Sequence, residues 1–276
     1  MVALTYHIRP VGNEAFEANS RCLLIEAGSG TLSILLWDKT RAMPEAAEVF
    51  SGITSWAEDW EKMKQQSELL GYRSLETVVF LNFRRILPIP AVFFSQSDAD
   101  IQLNAFFGEE AFLHSGGDIL PDLDMVLAWQ VPKDIIACLT ADFDKIQFKS
   151  IATLVLHNGF GLKDDLAEGH LLVSGKWVWL AIWRKGELLI IKAYPAAEPD
   201  NLTYQMLNIC KQWGIGIEEI HWKVGGMVNQ DSPLWYAAGR FFEHFNPDDS
   251  GVIFGPEIPS HYFAHQIQFL VKAAGK

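Results

Sequence analysis

At 276 residues with 49% hydrophobic content, the chain is long enough for two ordinary domains and carries ample apolar material for their cores. A net charge of −12 with no Lys/Arg-rich run sets up a field that repels phosphate backbones, which excludes nucleic-acid partners. Residues 1–10 lack the pattern of a secretory signal and no apolar run reaches the ~18 residues of a membrane span. Three separated cysteines (Cys22, Cys138, Cys210) form no CxxC pair, so the expectation is a cytoplasmic protein with reduced thiols.

Cys22 to Ala27 and Thr31 to Asp38 flank Gly28-Ser29-Gly30 and read as a β-hairpin. Ser55 and Glu58 form the Ser-x-x-Glu of a capping box, opening a helix with Trp56, Trp60, Met63 and Leu70 on one stripe and a left-handed stop at Gly71. Thr77 to Phe83, Ala91 to Phe94 and Met125 to Val131 are predicted strands. Pro132 introduces a helix carrying Ile135, Ile136, Leu139 and Phe143, and Ser150 to His157 is a short helix closing at Gly159. The glycine- and aspartate-rich stretch 158–169 reads as a boundary.

After it the pattern begins again. Leu171 to Val173, the turn Ser174-Gly175-Lys176 and Trp177 to Arg184 repeat the strand, turn and strand of the first half, with Trp183 falling where Trp37 fell. Trp177, Trp179 and Trp183 alternate with Val178, Leu180 and Ile182, so both faces of this strand need cover. Glu187 to Tyr194 follows the tight Lys185-Gly186 turn, and Asn201 to Trp213 is a helix stopped by Gly214. Ile220 to Val224 runs into Gly225-Gly226. Ser232-Pro233 opens a helix whose apolar stripe extends through Leu234, Ala238, Phe241, Phe242 and Phe245. Val252 to Phe254 is a last short strand, and Ser260 caps a terminal helix with Phe263, Ile267, Leu270 and Val271 facing inward. Meanders followed by alternating helices and strands, twice over, are the mark of a duplicated α/β fold with a cleft between its halves.

Three segments resemble parts of the actin-like ATPases. Leu24 to Asp38, LIEAGSGTLSILLWD, is similar to their first phosphate loop, and Lys223 to Pro233, KVGGMVNQDSP, to their adenosine-binding turn; Ala128 to Pro132, AWQVP, falls where an inter-domain crossover would be. Over almost its whole length the chain resembles an uncharacterised bacterial family, domain of unknown function 3822. That likeness rests on Leu87-Pro88-Ile89-Pro90 with Phe93-Phe94, on Lys185-Gly186-Glu187-Leu188, and on Pro259-Ser260-His261-Tyr262-Phe263. The resemblance implies an α/β, duplicated actin-like ATPase (ribonuclease H-like) fold with two subdomains around a cleft, residues 1–160 and 168–276, the C-terminal helix packing toward the first. It implies no activity.

Actin-like nucleotide chemistry needs two opposed glycine turns whose N–H groups cradle phosphates, with carboxylates holding Mg²⁺ through water. By the resemblance, the cofactor-binding candidates are Glu26, Gly28, Ser29 and Gly30 in the first loop, Gly175 and Lys176 in the second, and Gly225 and Gly226 in the adenosine turn. Glu26 stands in place of the usual Asp. The second loop is shorter, carries a lysine and has no carboxylate. The plainer reading of each glycine is a tight turn that needs positive φ. His261 and His265 share a helix face, but no zinc-protease glutamate follows His261, so no metal site is expected; the aspartate pairs 122/124, 142/144, 164/165 and 248/249 read as caps and solvated loops. No catalytic residues can be named from spacing. The leading expectation is a non-catalytic actin-like scaffold or binding module that has a degenerate nucleotide site, with ATP and Mg²⁺ as the candidate ligands and a protein as partner. The alternative is a working ATPase with a divergent second loop that draws a carboxylate from Asp164 or Asp165, and a small-molecule kinase of the same fold is disfavoured for want of a catalytic Asp.

Overall fold

The computed structural model of the protein describes residues 2–8, 20–159, 166–249, 251 and 259–274. The chain divides into two compact units, Met1–Thr153 and Leu154–Lys276.

In the first unit the strands β1 (Ala3–Ile8), β2 (Arg21–Gly28), β3 (Thr31–Asp38) and β4 (Met43–Ser51) lead to helix α1 (Trp56–Gln66) and strand β5 (Glu76–Asn82). A second, three-stranded sheet comes from β6 (Ile86–Pro90), β7 (Leu113–Leu120) and β8 (Met125–Pro132), with α2 (Ala99–Phe107) between β6 and β7. Helix α3 (Lys133–Asp142) and strand β9 (Lys145–Ser150) follow, and helix α4 (Ile151–Gly159) begins in the first unit and ends in the second. The main sheet has the order β1-β4-β3-β2-β5-β9, antiparallel through the meander and parallel from β2 to β9. Its core joins Leu23, Ile25 and Ala27 of β2 to Trp56, Trp60 and Met63 of α1 and to Ile135 and Leu139 of α3.

The second unit contains β10 (Ala167–Ser174), β11 (Trp177–Arg184), β12 (Glu187–Pro195), α5 (Pro199–Gln212), β13 (Ile220–Gly226), α6 (Pro233–Gly239), β14 (Phe245–Pro247) and α7 (Ala264–Ala274), the last entered through a 3₁₀ turn, Ser260–Phe263. Its sheet order, β12-β11-β10-β13-β14, matches β4-β3-β2-β5-β9 strand for strand and direction for direction. Even the irregularities agree: the ladder slips between Leu36 and Trp37 in one unit and between Ile182 and Trp183 in the other. Trp179 and Trp183 are buried on the face opposite the α5 core, and Gly159 of α4 lies so close to Trp183 that a Cβ there would come within 1.9 Å of the indole nitrogen.

Several boundaries differ from the expected ones. The strand expected at Ala91 to Phe94 is instead β6, upstream, and Ala91–Phe93 is a 3₁₀ turn. Pro88 and Pro90 are tolerated in β6 because it is an edge strand paired only with β8. Ala128 to Pro132 is not a crossover but part of β8, the central strand of the small sheet. Helix α1 stops at Gln66, and Gly71 closes a 3₁₀ turn without positive φ. Helix α6 stops at Gly239, a weak helix former, and Phe245 belongs to β14. Val271 is half exposed, and Pro259 rather than Ser260 precedes the terminal helical segment. The expected strand at Val252 to Phe254 lies outside the described residues, as do Asp164 and Asp165.

Candidate nucleotide site

The first loop joins β2 to β3. Its carbonyls are engaged by the chain itself: the Trp56 indole N–H donates to the Gly28 carbonyl at 2.9 Å, and the Ile53 N–H to that of Gly30 at 3.2 Å. Neither Gly28 nor Gly30 takes positive φ, contrary to the expectation for this turn; a Cβ at Gly28 would instead meet Thr31 Oγ1 at 3.3 Å and Asn82 at 3.5 Å. Ser29 is exposed. Glu26 is buried, 5% exposed, in register between Ser33 of β3 and Phe80 of β5.

The second loop is tighter. Ser174 pairs with Trp177, leaving Gly175 and Lys176 as the two central residues, with Gly175 at φ +53° as the first position of a type II′ turn requires. Lys176 is exposed, and its carbonyl accepts from Ala196 N–H at 2.9 Å. The two residues preceding this turn on β10 are Val173 and Ser174, so no carboxylate accompanies it.

The adenosine-turn candidates end β13, which runs parallel to β10 with Leu172 beside Gly225 and Val173 beside Gly226. Gly226 has φ +88°, and a Cβ there would lie 2.1 Å from the Val173 carbonyl oxygen. At Gly225 a Cβ would lie 2.4 Å from His265 Nδ1, so the imidazole of α7 fills the space that the missing side chain leaves. His261 Nε2 is 2.7 Å from the Val228 carbonyl oxygen and the Tyr262 hydroxyl donates to Asn229 Oδ1. The 3₁₀ turn and α7 thus cover the segment Gly225–Asn229 from one side.

Behind this contact lies a polar cluster in which His170, Asp248 and His265 are buried and Glu168 and Lys223 are partly exposed. His265 Nδ1 is 3.6 Å from Asp248 Oδ2, and Gln268 Nε2 donates to Asp248 Oδ1 at 2.9 Å. Glu168 Oε1 is 2.7 Å from His170 Nε2 and 2.6 Å from Lys223 Nζ. Burial opposes ionisation of Glu168, but bonding and charge from His170 and Lys223 outweigh it and hold the carboxyl at about 2. Burial drives the His265 imidazole down to about 4, against the pull of Asp248, so it is neutral near pH 7. Among the described residues no three His, Cys, Asp or Glu side chains converge as a metal-holding group.

Within each unit, therefore, the candidate residues sit at the ends of β2, β10 and β13, as the spacing of strands and turns requires. Sequence reasoning paired His261 with His265 but did not find that both pack on the turn after β13. A glycine pair at a strand end leaves a void that some side chain must fill, and that was the available signal. The Trp56 bond to Gly28 had no such signal.

Over residues 12–245 the chain matches a protein family described as of unknown function, DUF3822. No curated protein matches it. In structure it is similar to a protein of unknown function with an actin-like ATPase fold from Bacteroides thetaiotaomicron VPI-5482, at a TM-score of 0.74 and 13% identity, covering 92% of this chain and 96% of that one. It is also similar to a PilM–PilN type IV pilus biogenesis complex, with a TM-score of 0.57, 9% identity and coverage of 92% and 98%. The cytoplasmic domain of EpsL, an inner membrane component of the type II secretion system of Vibrio cholerae, is a third, with a TM-score of 0.50, 10% identity and coverage of 91% and 95%. At these identities the likeness carries the fold, which is the actin-like ATPase fold. No helix among the described residues is long and apolar enough to cross a membrane.

Proposed function

The chain belongs to the DUF3822 family, and from that premise we propose that it is a non-catalytic actin-like scaffold or binding module with a degenerate nucleotide site, acting through a protein partner. One observation carries the reading: the candidate glycines are used by the chain's own packing. Gly225 receives His265, Gly226 receives the Val173 carbonyl, Gly175 supplies the positive φ of a two-residue turn, and the Gly28 carbonyl is held by Trp56. Phosphate binding by backbone turns needs room for the ligand to approach. The second loop adds a lysine without a carboxylate, and an ammonium there competes with Mg²⁺ for phosphate oxygens. Glu26 has an extra methylene relative to the expected Asp and is buried. That PilM and EpsL, named in a biogenesis complex and a secretion system, share the fold favours a partner-binding role over chemistry.

The test is thermal denaturation of the purified chain with and without Mg-ATP. A specific ligand at ~100 times its dissociation constant adds about 2.7 kcal/mol of stability. We expect no shift at millimolar Mg-ATP. A saturable shift lost in Glu26→Gln would instead support the working-ATPase reading.

A further inference from the structure

The small sheet of the first unit, with α2 and the turn before it, has a surface that the other described residues of the unit do not share. Val92, Phe93, Ile101, Phe106, Phe112 and Ile119 are each between 67% and 83% exposed, and all six come from this one stretch. Contacts within the lobe tie the apolar positions together: Gln102 Nε2 of α2 donates to the Phe93 carbonyl at 2.8 Å, and Gln102 lies one helical turn from Phe106. Phe94 packs where a Cβ of Gly117 would be, two residues before Ile119 on the same face of β7. Phe112 holds φ +63°, an unfavourable conformation for a bulky residue, with its ring in solvent. Single exposed apolar residues are ordinary, but a grouped set on one small lobe marks an interaction surface.

The charge on this lobe identifies the occupant. Residues 86–132 contain seven acidic residues, Asp118 among them, and no lysine or arginine. Asp118 is buried, while Asp98, Asp100, Glu109, Glu110, Asp122 and Asp124 are exposed around the aromatic and aliphatic side chains; Glu110 is met by a base from outside the stretch, Arg85 at 3.0 Å. An anionic lipid surface or a nucleic acid would be repelled, and a second copy of a chain with net charge −12 would bring like charge to like. We infer that this lobe is a docking surface for a basic amphipathic segment of a protein partner, its apolar side chains seated on Phe93 and Phe106 and its Lys/Arg residues meeting the acidic rim. The inference deepens the scaffold reading and rests on it for the existence of a partner.

The probe is a fluorescent helical peptide with Leu on one face and Lys on the other, measured by anisotropy against the full chain with and without Mg-ATP. The controls are a Lys/Ser peptide of equal charge, a Leu/Glu peptide and anionic vesicles. Binding is expected for the Leu/Lys peptide alone, weakened about tenfold or more by Phe93→Ser, by Phe106→Ser and by the rim reversals Asp98→Lys and Glu109→Lys, with melting temperatures unchanged. Equal binding of the Lys/Ser peptide, binding indifferent to these substitutions, binding of vesicles, self-association abolished by Phe93→Ser, or no binding would each overturn it. ATP turnover in the same preparation would remove the non-catalytic reading and leave peptide docking standing.

Discussion

Gly226 and Gly28 separate two reasons for a glycine. At φ +88°, with the Val173 carbonyl oxygen 2.1 Å from the position of a Cβ, Gly226→Ala is strained in both backbone and contact, and we expect it to lower stability by roughly 2–4 kcal/mol. Gly28 has no positive φ and its nearest contact is 3.3 Å, so Gly28→Ala should cost less than about 1 kcal/mol in the same denaturant titration. A larger loss at Gly28 than at Gly226 would contradict this ordering. Sequence alone placed both glycines at turns but could not rank them, because φ and the facing atoms depend on which strand lies alongside. The polar cluster predicts acid lability. An unfolded chain takes up a proton at the ordinary histidine value of 6.5, whereas folded His265 stays neutral down to about 4, so stability falls as pH drops through that window, by about 3 kcal/mol at most. Glu168 behaves as a carboxylate held low: its contribution is complete above 4.5 and is lost as pH falls toward 2. Melting curves of His265→Asn should therefore be flatter than those of the parent between pH 6.5 and 4; an unchanged slope there would contradict the assignment.

Among the elements, β7 shows why some strands were hidden. Its sequence, LHSGGDIL, was assigned no element, yet it is a strand, and its glycines admit large neighbours: Trp129 lies 2.2 Å from the Cβ position of Gly116 and Phe94 lies 2.7 Å from that of Gly117. No local periodicity carries such information. Asp118 in the same strand ties it to the start of α4, accepting from the Ser150 N–H and Thr153 hydroxyl at 2.6 Å each and from the Trp129 indole at 3.0 Å. Removing the carboxylate leaves three buried donors without an acceptor. Asp118→Ala should cost at least ~3 kcal/mol and increase hydrogen exchange at residues 150–153; Thr153→Val should cost less. Exchange unaltered in Asp118→Ala would show that the strand and helix are held by packing alone. At α1 the capping box was half right: Ser55 Oγ accepts from Glu58 N–H at 3.4 Å, but the carboxylate that turns back to Thr54 N–H, at 3.0 Å, is Asp59. One residue of phase decided which acid reached the free donors.

For the whole molecule, duplication was legible because it is written in local signals: a hairpin and a tryptophan recur in each half. Both strand orders and both bulges at Trp37 and Trp183 follow from that repeat. The inserted three-stranded sheet has no counterpart among the described residues of the second unit and so broke the pattern, which is why the end of β8, read as a strand from Met125 to Val131, was also given the place of a crossover. What fills the turn after β13 was illegible because His265 is distant in sequence from Gly225. The proposal that this actin-like chain does no nucleotide chemistry is checked by steady-state ATP hydrolysis with Mg²⁺. In-line hydrolysis needs a metal on the β and γ phosphates and an oriented water, and if Glu26 takes the place the resemblance gives it, a displacement of the kind introduced by its extra methylene can alone reduce rate ~100-fold. We predict turnover no higher than a protein-free blank. Sustained Mg²⁺-dependent hydrolysis that vanishes in Glu26→Gln and survives Lys176→Ala would contradict it.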